Sequence, residues 1–204
     1  MKKIISAMLF SVFSVSADAA DHGYYVSVDS GRATFSHAED VLRGTLPDTP
    51  GFSKAATTRV GGGFHFNEYL GVDIGYLMNQ DSISDSFLIK QTLKSSSLLI
   101  AAFGTYPVNE AFELFGKLGL ANNRLTYSAP FQTQVSGLVY GSATKTSMMF
   151  GLGAQYNINK QWSIRMQYEN LGKTNLTALI NLGGVLPGAN IGMSAITVGN
   201  VYNF

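Results

Sequence analysis

Apolar and polar residues alternate along much of the chain, most clearly over residues 162–169. Trp162, Ile164, Met166 and Tyr168 occupy every second position there, with polar or charged residues between them. Because side chains of an extended chain point alternately to opposite faces, this stretch predicts a β-strand with one apolar and one charged face. Either the charged face meets water, or it is enclosed and the apolar face meets lipid.

The same alternation predicts eight strands and no helix. The predicted strands cover residues 24–34, 58–66, 69–78, 96–106, 112–127, 147–157, 162–169 and 192–204. The long connections between them cover residues 35–57, 79–94, 128–144 and 170–190, and strand extensions are possible in the last three. Short turns at one end and long loops at the other are typical of membrane barrels. The sequence thus predicts an all-β fold, an eight-stranded antiparallel up-and-down transmembrane β-barrel.

The fourth predicted strand is apolar on both faces, so its orientation does not follow from alternation. We place Leu99, Ala101 and Phe103 outward. On other strands, polar residues mark the enclosed face.

Aromatic residues recur at the short-turn ends of the predicted strands. Amphipathic rings favour the interface between acyl chains and water, so this recurrence predicts an interfacial girdle. The girdle consists of Tyr24, Phe66, Tyr69, Tyr106, Phe112, Tyr156 and Trp162.

The N-terminal segment has the pattern of a secretory signal peptide. Lys2 and Lys3 precede an apolar run, and small residues follow around Ala19. The run is shorter than the roughly 20 residues that a spanning helix needs. We expect a signal peptide over residues 1–19 and an outer-membrane β-barrel domain over residues 20–204.

The composition argues against several other classes of protein. Basic and acidic residues number 14 and 13, so the chain lacks the basic excess that nucleic-acid binding requires. There is no cysteine, and no pair of histidines stands at metal-ligand spacing. We therefore expect no cofactor, no metal and no nucleic-acid partner.

Charged residues lie near the middle of several polar faces. An eight-stranded barrel is only wide enough to be filled by its own side chains, and an unpaired charge there is costly. We predict an interior ion-pair network, with Glu113 as a lower partner, that fills and rigidifies the barrel. Its alternative role is a gate on a narrow ion path. The network comprises Asp29, Arg59, Asp73, Lys117, Arg165 and Glu169.

Two other features could indicate ligand binding or catalysis. The run Gly61-Gly62-Gly63 lacks the Lys-Ser/Thr ending of a phosphate loop, so we interpret it as glycines in a tightly curved strand. A lipid A-modifying enzyme needs a histidine with a serine and an acid near the outer leaflet. His37, close to Ser36 and Glu39, lies at that end, and we interpret it as a solvated loop histidine. We expect that the protein has no enzymatic activity.

The hairpin over residues 156–168 and the final Val201-Tyr202-Asn203-Phe204 resemble a known family. It comprises the small eight-stranded outer-membrane barrels of the OmpA-like and opacity-protein type. The resemblance implies a Gram-negative outer-membrane location and insertion by the barrel-assembly machinery. That machinery reads a terminal aromatic, so Tyr202 and Phe204 match its assembly signal.

For function, we expect a structural and adhesin-like role, carried by four extracellular loops that contact host or other surface molecules. We expect a monomer in contact with membrane lipids, including lipopolysaccharide. The alternatives are a small channel or transporter for ions or apolar solutes, a lipid A-modifying enzyme and a soluble ligand carrier. Basic residues near the loop ends either contact lipopolysaccharide phosphates or form a solvated rim: Arg32, Arg43, Lys54, Lys90, Lys94, Arg124 and Lys145.

Overall fold

Eight long strands close into an antiparallel barrel in the computed structural model, which describes residues 23–36, 54–86, 89–130, 138–176, 179–180, 184–185 and 189–204. The strands are β1 (Gly23–Ser36), β2 (Lys54–His65), β3 (Leu70–Ser86), β4 (Ile89–Pro107), β5 (Phe112–Pro130), β6 (Leu138–Asn157), β7 (Trp162–Leu176), β8 (Leu179–Ile180), β9 (Gly184–Val185) and β10 (Ala189–Asn203). β1 to β7 pair in chain order, and β10 pairs with both β7 and β1. The predicted eight-stranded antiparallel barrel is therefore confirmed.

The remaining two strands extend the sheet beyond the barrel. β8 pairs with Val139 and Tyr140 at the far end of β6, and β9 pairs with β8. Within the described ranges, no helix has both the length and the apolar character needed to cross a membrane.

The three short turns contain the same pattern of hydrogen bonds from the backbone to an asparagine side chain. In each turn, an asparagine Oδ1 accepts two backbone N–H groups at 2.8–2.9 Å, from the residues two and three positions later. These asparagines are Asn67, Asn109 and Asn159. Side chains that satisfy backbone donors in this way favour tight turns. The turns connect β2 to β3, β4 to β5 and β6 to β7, so all three lie at the same end of the antiparallel barrel.

Exposure alternates along the barrel strands as the sequence predicts. On β1, Tyr24 and Val28 are 60% and 59% exposed, whereas Tyr25 and Asp29 are 3% and 0% exposed. The outer wall is thus apolar and the interior contains the charges. That arrangement is typical of a membrane barrel, whose apolar outer wall contacts lipid. A soluble barrel has the opposite arrangement, with polar residues on the wall that contacts water.

The predicted orientation of β4 is wrong. Leu99, Ala101 and Phe103 face the interior, at 1%, 4% and 7% exposure, while Leu98 and Ile100 point outward. Ala101 pairs directly with Asp73 of β3, and directly opposed residues share a face of the sheet. Because Asp73 faces inward, Ala101 must do so too.

The strands extend at the loop end beyond the eight predicted ranges, as the sequence left possible for the last three long connections. β3 runs to Ser86 and β4 begins at Ile89, so the predicted loop over residues 79–94 is mostly a hairpin. β5, β6, β7 and β10 extend similarly into the third and fourth predicted loops, and most of the first, residues 37–53, lies outside the described residues. Backbone pairing can continue there because it needs no particular side chain.

Candidate functional site

The six charged residues predicted to face the interior lie together in one layer of the barrel. Each is at most 4% exposed and has at least two opposite charges within 3.9 Å. We call this group the charge layer: Asp29, Arg59, Asp73, Lys117, Arg165 and Glu169. Three acids face three bases, so the layer is formally neutral.

Arg59 of β2 is the centre of the charge layer. Its Nη1 lies 3.1 Å from Asp29 Oδ2, and its Nε lies 3.6 Å from Glu169 Oε1. Its Nη2 donates a hydrogen bond to Asp73 Oδ2. A guanidinium presents donors in a planar fork, so one arginine can serve three acids on different strands.

The other two bases join the acids from the opposite wall. Lys117 Nζ lies 3.3 Å from Asp73 Oδ2 and 3.6 Å from Glu169 Oε1. Arg165 Nη2 lies 3.3 Å from Asp29 Oδ2, and its Nη1 lies 3.9 Å from Asp73 Oδ1. The contacts therefore link β1, β2, β3, β5 and β7 across the interior.

Three neutral residues that the sequence pattern did not single out also form hydrogen bonds with the charge layer. The Tyr25 hydroxyl donates to Asp73 Oδ1 at 2.5 Å, and Ser27 Oγ accepts from Arg165 Nη2 at 2.7 Å. Gln167 Oε1 accepts from Lys117 Nζ at 2.9 Å. Ser27 and Gln167 lie two positions from Asp29 and Arg165. Residues two positions from a predicted inward charge lie on the same face of the strand, and this spacing could have identified Ser27 and Gln167.

Two glycines provide the space for Arg59. A Cβ built on Gly61 or on Gly75 would lie 2.6 Å from the nearest Nη atom of Arg59. Gly61 belongs to the glycine run of β2, so at least this member of the run accommodates a neighbouring side chain.

A mainly apolar layer, which also contains the buried polar residues Ser97 and Asn123, occupies the interior between the charge layer and the loop end; we call it the apolar layer. On β3 it begins at Leu77, four positions beyond Asp73, and on β5 at Ala121, four positions beyond Lys117. Its apolar residues are Ala33, Phe35, Ala55, Leu77, Leu93, Leu99, Ala101, Ala121, Leu125, Met149, Leu171, Ile191, Met193 and Ala195. Alternation does not predict this layer, because it favours a polar inner face on most strands and leaves β4, which is apolar on both faces, without an orientation.

The short-turn end of the interior is aromatic and holds a small cavity. Tyr25, His65 and Phe103 pack there, with the His65 ring centroid 5.4 Å from Tyr25 and 4.9 Å from Phe103. The cavity has a volume of about 20 Å³, room for roughly one water molecule. Lys117 and Arg165 line its inner side.

The remaining predicted site residues lie on the outer wall or near the turns. Glu113 is not in an ion pair with the charge layer in the described part of the chain; its Oε1 accepts a hydrogen bond from Asn157.

The predicted girdle residues other than Phe112 are 47–69% exposed, and Phe112 is half-buried. Tyr202 makes edge-to-face contacts with Trp162 and Phe204, and each ring centroid lies 5.0 Å from that of Tyr202. No group of histidine and acidic residues suited to a metal ion occurs among the described residues, and His37 lies outside them.

Comparisons with known proteins give the family. The family described as "Outer membrane protein beta-barrel domain" matches residues 5–204. Outer membrane protein A of Yersinia pseudotuberculosis serotype I (strain IP32953) is 26% identical over 175 residues. That match covers 83% of this chain and 48% of the relative, so the chain spans about half the length of the curated relative it matches.

Solved structures show the same fold. Neisserial surface protein A is 16% identical, with a TM-score of 0.59, covering 91% of this chain and 100% of that one. Ail of Yersinia pestis, solved in complex with the heparin analogue sucrose octasulfate, is 17% identical, with a TM-score of 0.55 and the same two coverages. OprG of Pseudomonas aeruginosa is 13% identical, with a TM-score of 0.54, covering 93% of this chain and 99% of that one. The chain belongs to the outer-membrane protein β-barrel family.

Proposed function

We propose that this protein is a sealed outer-membrane anchor with an adhesin-like role. Its barrel stabilises the membrane and holds four extracellular loops against molecules at the cell surface. The filled interior is the observation that supports this proposal most directly. The charge layer occupies the middle of the barrel, and the apolar layer lies between it and the loop end. Ions crossing this barrel would have to displace both.

The length of the strands supports the surface role. β4, β5 and β6 contain 19, 19 and 20 residues, whereas about 10 residues of a tilted strand cross a bilayer. Short turns face the periplasm in barrels of this kind, so the excess length projects outward from the cell. The loops are thus carried clear of the membrane on paired strands, where a partner can reach them.

One structural neighbour has been solved with a bound ligand. Ail shares this fold and was solved with a sulfated heparin analogue. Surface loops on a rigid scaffold commonly carry binding functions. We therefore propose host or other surface molecules as partners of the four loops, and a monomer as the functional unit.

The proposal includes a route to the membrane. A signal peptide over residues 1–19 directs export, and the barrel-assembly machinery recognises the Tyr202 and Phe204 end. The aromatic girdle then holds the barrel at the interface, where amphipathic rings are favoured. We propose no enzymatic activity for this barrel. His65 packs between Tyr25 and Phe103 at the end opposite the loops, away from the outer leaflet where a lipid A-modifying enzyme needs its histidine.

Conductance in planar lipid bilayers tests whether the barrel is sealed. The unaltered protein should produce no stepwise currents. Arg165→Ala and Lys117→Ala should also produce none, because the apolar layer still closes the path. A large porin inserted under the same conditions serves as the positive control. Stepwise currents from the unaltered protein would contradict the sealed anchor and favour a channel.

Adhesion by whole cells tests the role of the loops. Residues 131–137 or 177–178 and 181–183 are replaced by glycine and serine, and the amount of barrel in the outer membrane is matched between strains. Cells with the unaltered chain should bind host cells or matrix more strongly than cells without it, and at least one replacement should abolish the gain. No gain from the unaltered chain would refute the adhesin-like role.

A further inference from the structure

The outward faces of the eight barrel strands form an apolar band between the short turns and the loop end. At its loop-end edge, the last large exposed apolar residue of each strand is followed, two positions farther, by a polar one. On β4, for example, Ser96 follows Leu98. Between this edge and the turns, outward-facing side chains of a membrane barrel contact acyl chains. A polar side chain inside the band is therefore unexpected.

Asn200 of β10 is such an exception. Apart from tyrosine and tryptophan, it is the one polar side chain that points outward inside the band of the eight described strands. It is exposed between Val198 and Tyr202, and it is directly opposite Val28 of β1 and Ile164 of β7. Its amide forms no hydrogen bond with any residue that the structure describes. Because an unpaired amide is costly in hydrocarbon, a group outside the barrel must supply the partner.

A second unusual feature lies beside it, in the turn between β6 and β7. The residue after the turn asparagine is Glu68 in the first short turn, Glu110 in the second and Lys160 in the third, and all three are exposed. The third turn is held against β10, because the Asn203 backbone N–H donates to the Gln161 carbonyl oxygen at 2.8 Å. Of the three turns, the one with a cation at this position thus adjoins the strand with the outward-facing amide.

The amide and the cation lie at different depths of the periplasmic interface. Trp162 of the girdle is directly opposite Tyr202. Asn200 lies two residues from Tyr202 toward the membrane centre, and Lys160 lies two residues from Trp162 toward the periplasm. Two residues of a tilted strand span about 5 Å along the membrane normal, and each headgroup region is about 5–7 Å thick. The amide is therefore at the level where acyl chains join their esters, and the ammonium group is at the level of the phosphates.

The neighbours of Asn200 argue against a second barrel as its partner. Membrane segments approach one another closely where small side chains line the contact. Val28, Ile164 and Val198 are large and 59%, 43% and 46% exposed. The small outward-facing residues of the band's turn-end half lie on other strands, at Ala102, Gly104, Gly116 and Ala154. Bulky side chains around the amide leave room for a lipid chain but hold another backbone away.

We propose that Asn200 and Lys160 form a binding site for one glycerophospholipid of the inner leaflet. This proposal rests on the membrane anchoring proposed above, in which the short turns face the periplasm. The Lys160 ammonium group pairs with the lipid phosphate, and the Asn200 amide donates a hydrogen bond to an ester carbonyl oxygen. Neighbouring strands are about 4.8 Å apart, so one lipid can contact the β7 turn and β10 together. Its acyl chain lies along Val198 and Ile164.

Native mass spectrometry of the full mature protein in detergent tests the site by titration with phosphatidylglycerol. Two comparison lipids have the same chains: diacylglycerol lacks the phosphate, and the diether analogue of phosphatidylglycerol lacks the ester carbonyls. The unaltered barrel should retain one phosphatidylglycerol and bind it more tightly than either comparison lipid. K160Q should weaken this binding about fivefold, and N200L about threefold.

The two variants should differ in which lipids they distinguish. N200L should bind the diester and the diether lipid equally, because it has lost the donor for the carbonyl oxygen. K160Q should still prefer the diester, because Asn200 remains. K160E/E110K keeps the net charge but moves the cation to the second turn, so it should bind no better than K160Q. All these side chains are exposed, so each variant should keep the heat-modifiable gel mobility of a folded barrel.

N122L and K173Q are the matched controls. They make the same replacements at exposed positions near the loop end, and both should bind phosphatidylglycerol as the unaltered barrel does. Unchanged binding by N200L and K160Q, or an equal loss of diester and diether lipid in N200L, would overturn the proposal. A dimer that N200L converts to a monomer would also overturn it and assign Asn200 to a second copy of the chain.

This result is separable from the sealed-anchor proposal. A barrel that conducts ions and still distinguishes the diester from the diether lipid would refute the seal alone. A silent barrel whose N200L and K160Q variants bind phosphatidylglycerol unchanged would refute the lipid site alone.

Discussion

At the scale of single residues, the interior depends on Arg59. It contacts all three acids of the charge layer, and Gly61 and Gly75 provide the space that its guanidinium occupies. A buried charge pair adds little stability by itself, because desolvation offsets the attraction between the charges. Removing one partner is different, since the remaining charge stays buried without compensation.

Arg59→Met should therefore destabilise the barrel strongly. It leaves three acids facing two bases in a layer that is at most 4% exposed, so we expect a loss of about 3–5 kcal/mol. Urea unfolding in phosphatidylcholine vesicles measures the loss. Arg32→Met is the matched control, because Arg32 is exposed at the loop-end edge, and its effect should stay within about 0.5 kcal/mol. Equal effects from the two changes would contradict the central role of Arg59.

At the scale of strands, β4 shows how one element is oriented by its neighbours. Its two faces are nearly equally apolar, because Leu98 and Ile100 meet lipid while Leu99 and Ala101 meet the apolar layer. Both environments accept the same side chains. The orientation comes from pairing with β3, whose inward face is marked by Asp73.

Single cysteines on β4 test this orientation. The chain has no cysteine of its own, so Leu98→Cys and Leu99→Cys can each be labelled without background. In vesicles containing brominated lipid, a fluorophore at position 98 should be strongly quenched. Position 99 should label poorly in the folded barrel, since Leu99 is 1% exposed. Strong lipid quenching at 99 with none at 98 would show that β4 faces the other way.

β7 contains a local irregularity near its loop end. Gly172 has a φ of 78°, and the pairing of β7 with β10 shifts register between Met193 and Ser194. Residues other than glycine adopt this backbone conformation only with strain. The irregularity lies next to the point where the pairing of β7 with β6 ends, at the Phe150–Asn170 pair.

Gly172→Ala should lower stability by about 1–3 kcal/mol because of this backbone strain. The added Cβ would also lie 2.6 Å from Ser147 Cβ. Gly116→Ala is the control, because its Cβ would meet nothing closer than 3.6 Å and its φ is not positive. The midpoint of urea unfolding should fall for Gly172→Ala and hardly change for Gly116→Ala. Similar midpoints for both variants would rule out strain at Gly172.

At the scale of the whole molecule, closure of the sheet is the dominant feature. Because β10 pairs with β1, none of the eight barrel strands has an unpaired edge in the part of the barrel that crosses the membrane. Backbone groups in lipid need internal partners, and only a helix or a closed barrel provides them all. Closure also makes unfolding cooperative, since opening one seam exposes backbone on both sides.

Gel mobility without heating should reveal this closure. The unheated protein should remain folded in dodecyl sulfate and migrate ahead of the heated form, because detergent finds no edge strand to open. Arg59→Met should convert to the slow form at a lower temperature than the unaltered protein. Identical mobility before and after heating would contradict a closed barrel.

Processing of the chain is a separate prediction at this scale. Mass spectrometry of the protein from outer-membrane fractions should give a mature chain that begins at Ala20. Ala19→Arg should block processing, because cleavage requires a small residue at that position. A membrane-inserted protein that retains residues 1–19 would refute the predicted signal peptide.

The sequence by itself determined the fold class and the orientation of most strands. Alternation works on β1, β2, β3, β5, β6, β7 and β10 because lipid and a charged interior demand opposite side chains. The charge layer could be anticipated for the same reason. Ionised residues near mid-strand on enclosed faces must find opposite charges, and Asp29, Asp73 and Arg165 were therefore visible in the pattern.

Only the tertiary structure decided how the interior is divided. The orientation of β4 and the apolar layer were hidden, because an apolar interior and lipid select the same residues. The strand extensions could be named from the sequence only as a possibility, because backbone pairing beyond the membrane requires no alternation. The role of Gly61 and Gly75 depends on Arg59 being within reach of both, which follows from register rather than from neighbouring sequence. The alternation along one strand reflects whether each of its faces contacts lipid or the barrel interior. Which side chains contact one another across the interior is determined only when the sheet closes.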